Sequence, residues 1–233
     1  MGDYLVFTLT AALGSMGEFA GHDRRGSLTW PGRSAILGLL GAAKGIRRGG
    51  DFAVLDSLGM AIAVFDSGKA LRDYHTIQSV GVSTVRNPQS RPQAIKDAGN
   101  RANTTLTQRD YRMGSLYGVA VWNGDLLALQ AALRQPEFTL YLGRKSCPLA
   151  APVAARLVGA VDPVEALSQV EIPPWRCVNG MSRIIADDGS ITAIHRESRN
   201  DVPLDRTLWH FGTRTVAIAE TSITPQVAGR GAA

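Results

Sequence analysis

The sequence predicts an α+β protein: a ferredoxin-like body of sheet and helices, a protruding β-hairpin, and a smaller C-terminal β region. Three observations carry this expectation. Apolar patterning over residues 1–161 runs strand, helix, strand, hairpin, strand, helix, strand. Between the halves of that repeat, residues 72–112 form a polar stretch with strand-like ends and too few apolar residues to bury a face of its own. From residue 162 to 233 the pattern turns irregular and β-rich.

Each element has its own signal. Tyr4, Val6 and Thr8 alternate with Leu5, Phe7 and Leu9, so residues 4–9 read as a strand with bulk on both faces, suited to the middle of a sheet. A glycine-rich loop is expected over residues 10–32, with His22, Asp23, Arg24 and Arg25 near its middle. Ile36, Leu39, Leu40 and Ala43 then recur at helical spacing behind Arg33 and Ser34, with Ser34 as the N-cap. Free N–H groups, the positive end of the helix dipole, a hydroxyl and a guanidinium together suit a phosphate at that start. An ordinary capped helix with Arg33 in water is the alternative. Lys44 lies between Ala43 and Gly45 rather than in a Gly-Lys-Ser/Thr run, which excludes a nucleotide P-loop. Asp51 caps a short second helix, and residues 60–65 form a strand closed by Asp66-Ser67-Gly68.

The polar stretch opens with Arg72-Asp73-Tyr74-His75-Thr76 and closes with Thr107-Gln108-Arg109-Asp110-Tyr111-Arg112, the two legs of one long hairpin. It is either a disordered insertion or a functional arm. Seven Lys or Arg against three Asp give it a positive field, and its two tyrosines offer planar faces. Charge of that kind tracks phosphates, and aromatic rings stack bases.

After the arm, residues 115–122 alternate as a strand, Asn123-Gly124 turns the chain, and Asp125 caps an amphipathic helix that Gln135-Pro136 stops. Tyr141-Leu142-Gly143-Arg144-Lys145-Ser146-Cys147-Pro148-Leu149 reads as a loop with adjacent basic residues, and residues 153–161 as a strand. Asp187-Asp188-Gly189 predicts a hairpin turn between strands at 182–186 and 191–195, residues 208–219 a final strand, and residues 221–233 a mobile tail.

Composition narrows the functional classes. A net charge of +5 suggests an acidic partner. Cys147 and Cys177 lack the number and spacing of a zinc site, and no cofactor is expected. The apolar run at residues 35–43 is broken by Gly38 and Gly41 and falls well short of the roughly 20 residues of a membrane span. With Gly2-Asp3-Tyr4-Leu5-Val6-Phe7 leading straight into a strand instead of a secretion signal, a cytoplasmic protein is expected.

Five separated stretches resemble the CasD subunit family, the fifth class of CRISPR-associated RAMP proteins, in its type I-E Cascade form. They are Pro31-Gly32-Arg33-Ser34 running into Gly38-Leu39-Leu40-Gly41-Ala42; Arg72-Asp73-Tyr74-His75-Thr76; Arg109-Asp110-Tyr111; the loop from Tyr141 to Leu149; and the run from Arg199 to Pro203. The resemblance implies a ferredoxin-like RAMP domain over residues 1–161 whose thumb is the arm at 72–112, and a C-terminal β-rich region and tail over 162–233. It also implies a partner, the 5′ handle of CRISPR RNA, with the backbone and large subunits of Cascade as neighbours and target DNA met only through the complex. Gly14-Ser15-Met16-Gly17 departs from the family, which often carries an aromatic in that position.

The expected RNA-binding residues are Arg33 and Ser34 at the helix start, Tyr74, His75, Arg109 and Tyr111 at the base of the arm, and Arg144 and Lys145 in the glycine loop. A binder rather than an enzyme is expected. The rival is a metal-independent endoribonuclease in which His75 is the general base on a 2′-hydroxyl, Tyr74 orients it and Lys145 offsets phosphorane charge. A structural role for His75 is the simpler alternative.

Overall fold

Strand β1 (Gly2–Gly14) runs through the middle of the sheet because both its faces are apolar. Leu5, Phe7 and Leu9 enter one core, while Tyr4 and Val6 enter a second core on the other side. The computed structural model describes residues 1–21 and 23–229 and has a mixed α+β architecture. His22 and residues 230–233 of the expected tail lie outside the described residues.

The strand does not stop at Leu9. Thr10, Ala11 and Leu13 pair with Leu116, Ser115 and Met113, and the Thr10 hydroxyl donates to the Ser115 carbonyl at 2.9 Å. Beyond β1 the chain forms an antiparallel pair, β2 (Met16–Ala20) and β3 (Arg24–Leu28), in place of the expected loop. Glycines there mark an edge hairpin whose backbone groups find ladder partners.

Helix α1 (Arg33–Ala43) buries Ile36, Leu37, Leu39 and Leu40 against the first core. It begins two residues earlier than the sequence suggests, and Ser34 is not its cap. Gly32 holds the N-cap position with no side-chain bond of its own, and the Asp201 carboxylate accepts the Arg33 backbone N–H at 2.6 Å. The first turn is therefore capped by a residue far along the chain, and its positive end already faces an anion. Helix α2 (Ala53–Asp56) is shorter than expected, with the Asp51 carboxylate accepting from the Ala53 N–H at 2.8 Å.

Strand β4 (Gly59–Asp66) leads to β5 (Lys69–Ser79), then to α3 (Arg91–Ala98) and the long β6 (Asn103–Trp122). Helix α4 (Leu126–Arg134) is capped as expected, by the Asp125 carboxylate accepting from Ala128 N–H at 3.0 Å. Strand β7 (Arg156–Ala160) and helix α5 (Pro163–Ser168) come next, and Ala166 and Leu167 of α5 close the second core. The remaining strands are β8 (Glu171–Ile172), β9 (Met181–Asp187), β10 (His195–Asp205), β11 (His210–Ser222) and β12 (Gln226–Val227).

The main sheet has the order β10-β11-β9-β4-β6-β1-β7, antiparallel along its length. Because β9 pairs with β4, the C-terminal strands continue the sheet begun by the N-terminal ones. The turn at Asp187-Asp188-Gly189 does not close a hairpin: β11 lies between β9 and β10 and pairs with both. Because β11 is antiparallel to both, β10 runs parallel to β9, and the chain crosses over after this turn instead of folding straight back. Residues 223–227 are also more ordered than expected, since Val227 pairs with Ile172 and Ile223 is buried. No helix among the described residues is long and apolar enough to cross a membrane.

Candidate nucleic-acid interface

Strand β5 and the first half of β6 form a two-stranded arm, paired from Lys69↔Met113 at its base to Ser79↔Asn103 near its tip. Most arm residues on β5 are exposed, whereas residues 115–121 of β6 are buried in the body. The alternation that makes β6 a strand is common to both halves. Only the loss of apolar residues below Tyr111 separates arm from body. The tip is ordered by α3, where Ser90 Oγ accepts from the Gln93 N–H at 3.4 Å and Ala94 and Ala98 are buried.

Two glycines with left-handed backbone shape the base. Gly68 has φ 70° and Gly114 φ 69°, and a Cβ at Gly68 would lie 2.4 Å from the Met113 carbonyl oxygen. Arg112 ties this bend to the body, its guanidinium donating to the carbonyls of Ser67 at 2.8 Å and Gly68 at 2.6 Å.

Successive side chains on the arm face opposite ways, so the expected site divides. One face carries Arg72, Tyr74 and, across the ladder, Gln108 and Asp110. Asp110 is the hub: Arg72 Nε donates to one carboxylate oxygen at 2.8 Å, and Arg24 Nη2 to the other at 2.7 Å. The hydrogen bond from Arg72, together with the pair with Arg24, holds the Asp110 carboxyl down at about 2. Tyr74 stands beside this clamp and is 58% exposed, so its ring is free to stack.

The other face carries His75, Asp73, Arg109 and Tyr111. His75 Nε2 lies 2.5 Å from the Asp73 carboxylate. Tyr111 is 8% exposed, and the Arg144 guanidinium lies over its ring at 4.7 Å, so it packs under a cation and is not an open base platform. The Arg144 loop reaches that position because its backbone lies against Ser15: the Ser15 N–H donates to the Leu142 carbonyl at 3.0 Å. Gly143, at φ 87°, is required there, since a Cβ would lie 1.6 Å from the Ser15 oxygen. Arg144 Nη1 is buried and has no hydrogen-bond partner among the described residues. Lys145 is exposed, and neither it nor Arg109 has a carboxylate partner among the described residues.

Arg33 and Ser34 are not part of this cluster. They sit at the Gly59 end of β4, whereas the arm leaves from its Asp66 end. Arg33 is buried, and its Nη2 donates to the carbonyls of Asp56 at 2.7 Å and Leu58 at 2.8 Å while Nη1 reaches the Asp187 carboxylate at 3.5 Å. Ser34 is half-buried beside it. Arg214 completes a closed network, donating to Asp187 at 2.6 Å and Asp201 at 2.7 Å. The expected phosphate at this helix start is thus replaced by protein carboxylates.

Sequence reasoning passed over Arg25. Strand β3 runs parallel to β6 and sets Arg25 in register with Arg109, placing a second arginine on the flank of the arm. Its signal was visible as the Arg24-Arg25 pair, but nothing local says that this segment pairs with a strand more than eighty residues later.

By fold, the chain falls in the same class as a subunit of a solved "CRISPR RNA-guided surveillance complex", with a TM-score of 0.72, 27% identity, and coverage of 98% of this chain and 95% of that one. A second solved structure, a "Cas protein", shares the fold with a TM-score of 0.60 at 22% identity, over 95% of each chain. The "CRISPR system Cascade subunit CasD" of Escherichia coli (strain K12) is 30% identical over 190 residues, spanning 73% of this chain and 78% of that protein. The family model described as "CRISPR-associated protein (Cas_Cas5)" matches residues 4–217, and the chain belongs to that family.

Proposed function

We propose that this protein is an RNA-binding subunit of a Cascade-type CRISPR surveillance complex that works in the cytoplasm. The sheet order β7-β1-β6-β4 is read as the ferredoxin-like split repeat, and the β5–β6 arm as its thumb. The arm grips the 5′ handle of the guide RNA, and the body caps the backbone of the complex next to its large subunit. Arg25 and Arg109 take phosphates on one face of the arm, Tyr74 stacks a base on the other, and Lys145 offers a donor at the base beside Arg144, which covers Tyr111. His75 belongs to the same surface.

The observation that carries this reading is the contrast in pairing along the arm. Asp110 is held by two arginines, while Arg25, Arg109 and Lys145 have no carboxylate partner among the described residues. Cations presented on an ordered hairpin without protein counterions suit a polyanion. RNA titration over a range of salt tests it. Binding of repeat RNA should weaken steeply with salt, and replacing Arg25, Arg109 and Lys145 together should flatten the dependence; an unchanged slope removes the arm from the interface.

The contact between His75 and Asp73 supports a second reading, because a carboxylate-oriented imidazole is the form a general base takes. Incubating the protein with repeat RNA in chelator separates the two. The binding reading expects intact RNA, whereas discrete cleavage abolished in His75→Ala would establish an endoribonuclease.

A further inference from the structure

A second projection leaves the opposite end of the sheet. Strands β10 and β11 run past the Asp187 end of β9 and close in a turn over residues 205–210. The turn is built to hold one shape. A single Asp205 carboxylate oxygen accepts from the Thr207 N–H at 2.8 Å, the Thr207 hydroxyl at 2.6 Å and the Leu208 N–H at 2.9 Å. Trp209 is held at φ 58°, a left-handed backbone that a bulky residue adopts only when its surroundings impose it. Below the turn, Arg206 is anchored to the body by the Asp56 carboxylate at 2.6 Å and by the Phe52 ring at 3.9 Å.

This shape presents apolar surface to solvent. Leu204 is 70% exposed, Leu208 63% and Trp209 58%, and Phe211 lies beside Trp209 at 6.1 Å between ring centres. Arg48 stacks on the Trp209 ring at 4.1 Å. Neither Arg48 nor its neighbour Arg47 has a carboxylate within ion-pair distance among the described residues. An exposed aromatic anchor in a preorganised turn, ringed by leucines and carrying unmatched positive charge, has the composition of an interaction hot spot.

We propose that the β10–β11 tip is a protein-docking knob that inserts Leu208 and Trp209 into an apolar pocket of a neighbouring subunit, with carboxylates at the pocket rim facing Arg47 and Arg48. The pairing of charge and apolar surface favours protein over RNA. Exposed leucines offer nothing to a phosphate backbone, one face of the Trp209 ring is already covered by Arg48, and Arg206 is neutralised by Asp56. The knob also lies at the sheet end away from the arm, so a subunit seated here does not compete with RNA held there. The proposal rests on the reading of this chain as one subunit of a larger particle.

The test places a photocrosslinking amino acid at position 208 of the full chain, co-expressed with guide RNA and the remaining subunits of its complex. A crosslink to a different protein subunit is expected. A crosslink to RNA, to a second copy of this chain, or to nothing overturns the proposal. In the same particle, Leu208→Asp and Trp209→Gly should each weaken retention of that subunit by about 30-fold, the scale of a hot-spot loss. Trp209→Gly removes the ring while easing the left-handed backbone, so the turn itself survives. Retention unchanged in both variants also overturns the proposal. If the unaltered chain fails to enter any particle, the subunit reading falls together with the knob. Assembly of the unaltered chain with no effect at position 208 or 209 removes the knob alone.

Discussion

The two ends of the sheet hold arginines of opposite fate. At the Gly59 end of β4, Arg33 and Arg214 are enclosed by Asp187, Asp201 and the carbonyls of Asp56 and Leu58. At the Asp66 end, Arg112 and Arg72 brace the base of the arm, but Arg25 and Arg109 stand in register with no carboxylate partner among the described residues. The comparison teaches that a guanidinium's role depends on the carboxylates that the fold brings to it. A buried arginine with a full set of acceptors stabilises the body, and an exposed one without them is available to a ligand.

The sharpest way to break this comparison is to remove a cation from the paired end. Arg33→Met leaves Asp187 short of a partner and two carbonyls without their donor, and should cost about 3 kcal/mol in urea unfolding while leaving the salt slope of RNA binding unchanged. A lowered slope with stability intact would reverse the assignment of Arg33. Next in size is Gly143→Ala, which forces a side chain onto the Ser15 carbonyl at a left-handed backbone and should cost about 2 kcal/mol. Its specific readout is Cys147, buried in the same loop, which should become reactive to a thiol reagent while exposed Cys177 reacts as before.

Asp110 sharpens the comparison at the other end. Its carboxyl is depressed from the ordinary 3.8 to about 2, first by Arg72 and then by Arg24. A depressed carboxyl contributes stability that is complete above the unfolded value, so the clamp should hold above about pH 4 and loosen as pH falls toward 2. Asp110→Asn should remove that acid-range loosening, read by hydrogen exchange of the arm amides, and cost about 1 kcal/mol near neutral pH because both arginines are solvent-exposed. The smallest change is expected from Arg109→Ala. It should leave folding within about 0.5 kcal/mol and lower the salt slope of RNA binding by about 0.7, one phosphate on a single strand. An unaltered slope would place Arg109 with the bracing arginines.

Much of the architecture was legible in local pattern. The period-two runs at residues 4–9, 60–65 and 115–122, the Asp125 cap and the polar, strand-ended arm all appear where residue spacing puts them. The misreadings share one cause. Ser34 looked like a cap, but the N-terminus of α1 takes its acceptor from Asp201; the stretch at 10–32 looked like a loop, but it pairs with β6; and the turn at Asp187 looked like a hairpin, but β11 enters between its strands. In each case the local signal was satisfied by a partner distant in sequence.

The candidate site shows the same division. The exposure of Tyr74 was legible because a polar segment that cannot bury itself advertises it, and that of Lys145 because it stands among adjacent basic residues in a loop. Tyr111 could not be told from Tyr74 until Arg144 was seen lying on its ring, nor Arg33 from Arg109 until Asp187 was seen beside one and not the other. Periodicity and turn chemistry act over a few residues, so the strand-helix-strand repeat of the body and the presence of an arm belong to the sequence by itself. Coulombic pairing and burial act through space, so only the tertiary structure decides which arginines are neutralised inside the body and which are left without a carboxylate.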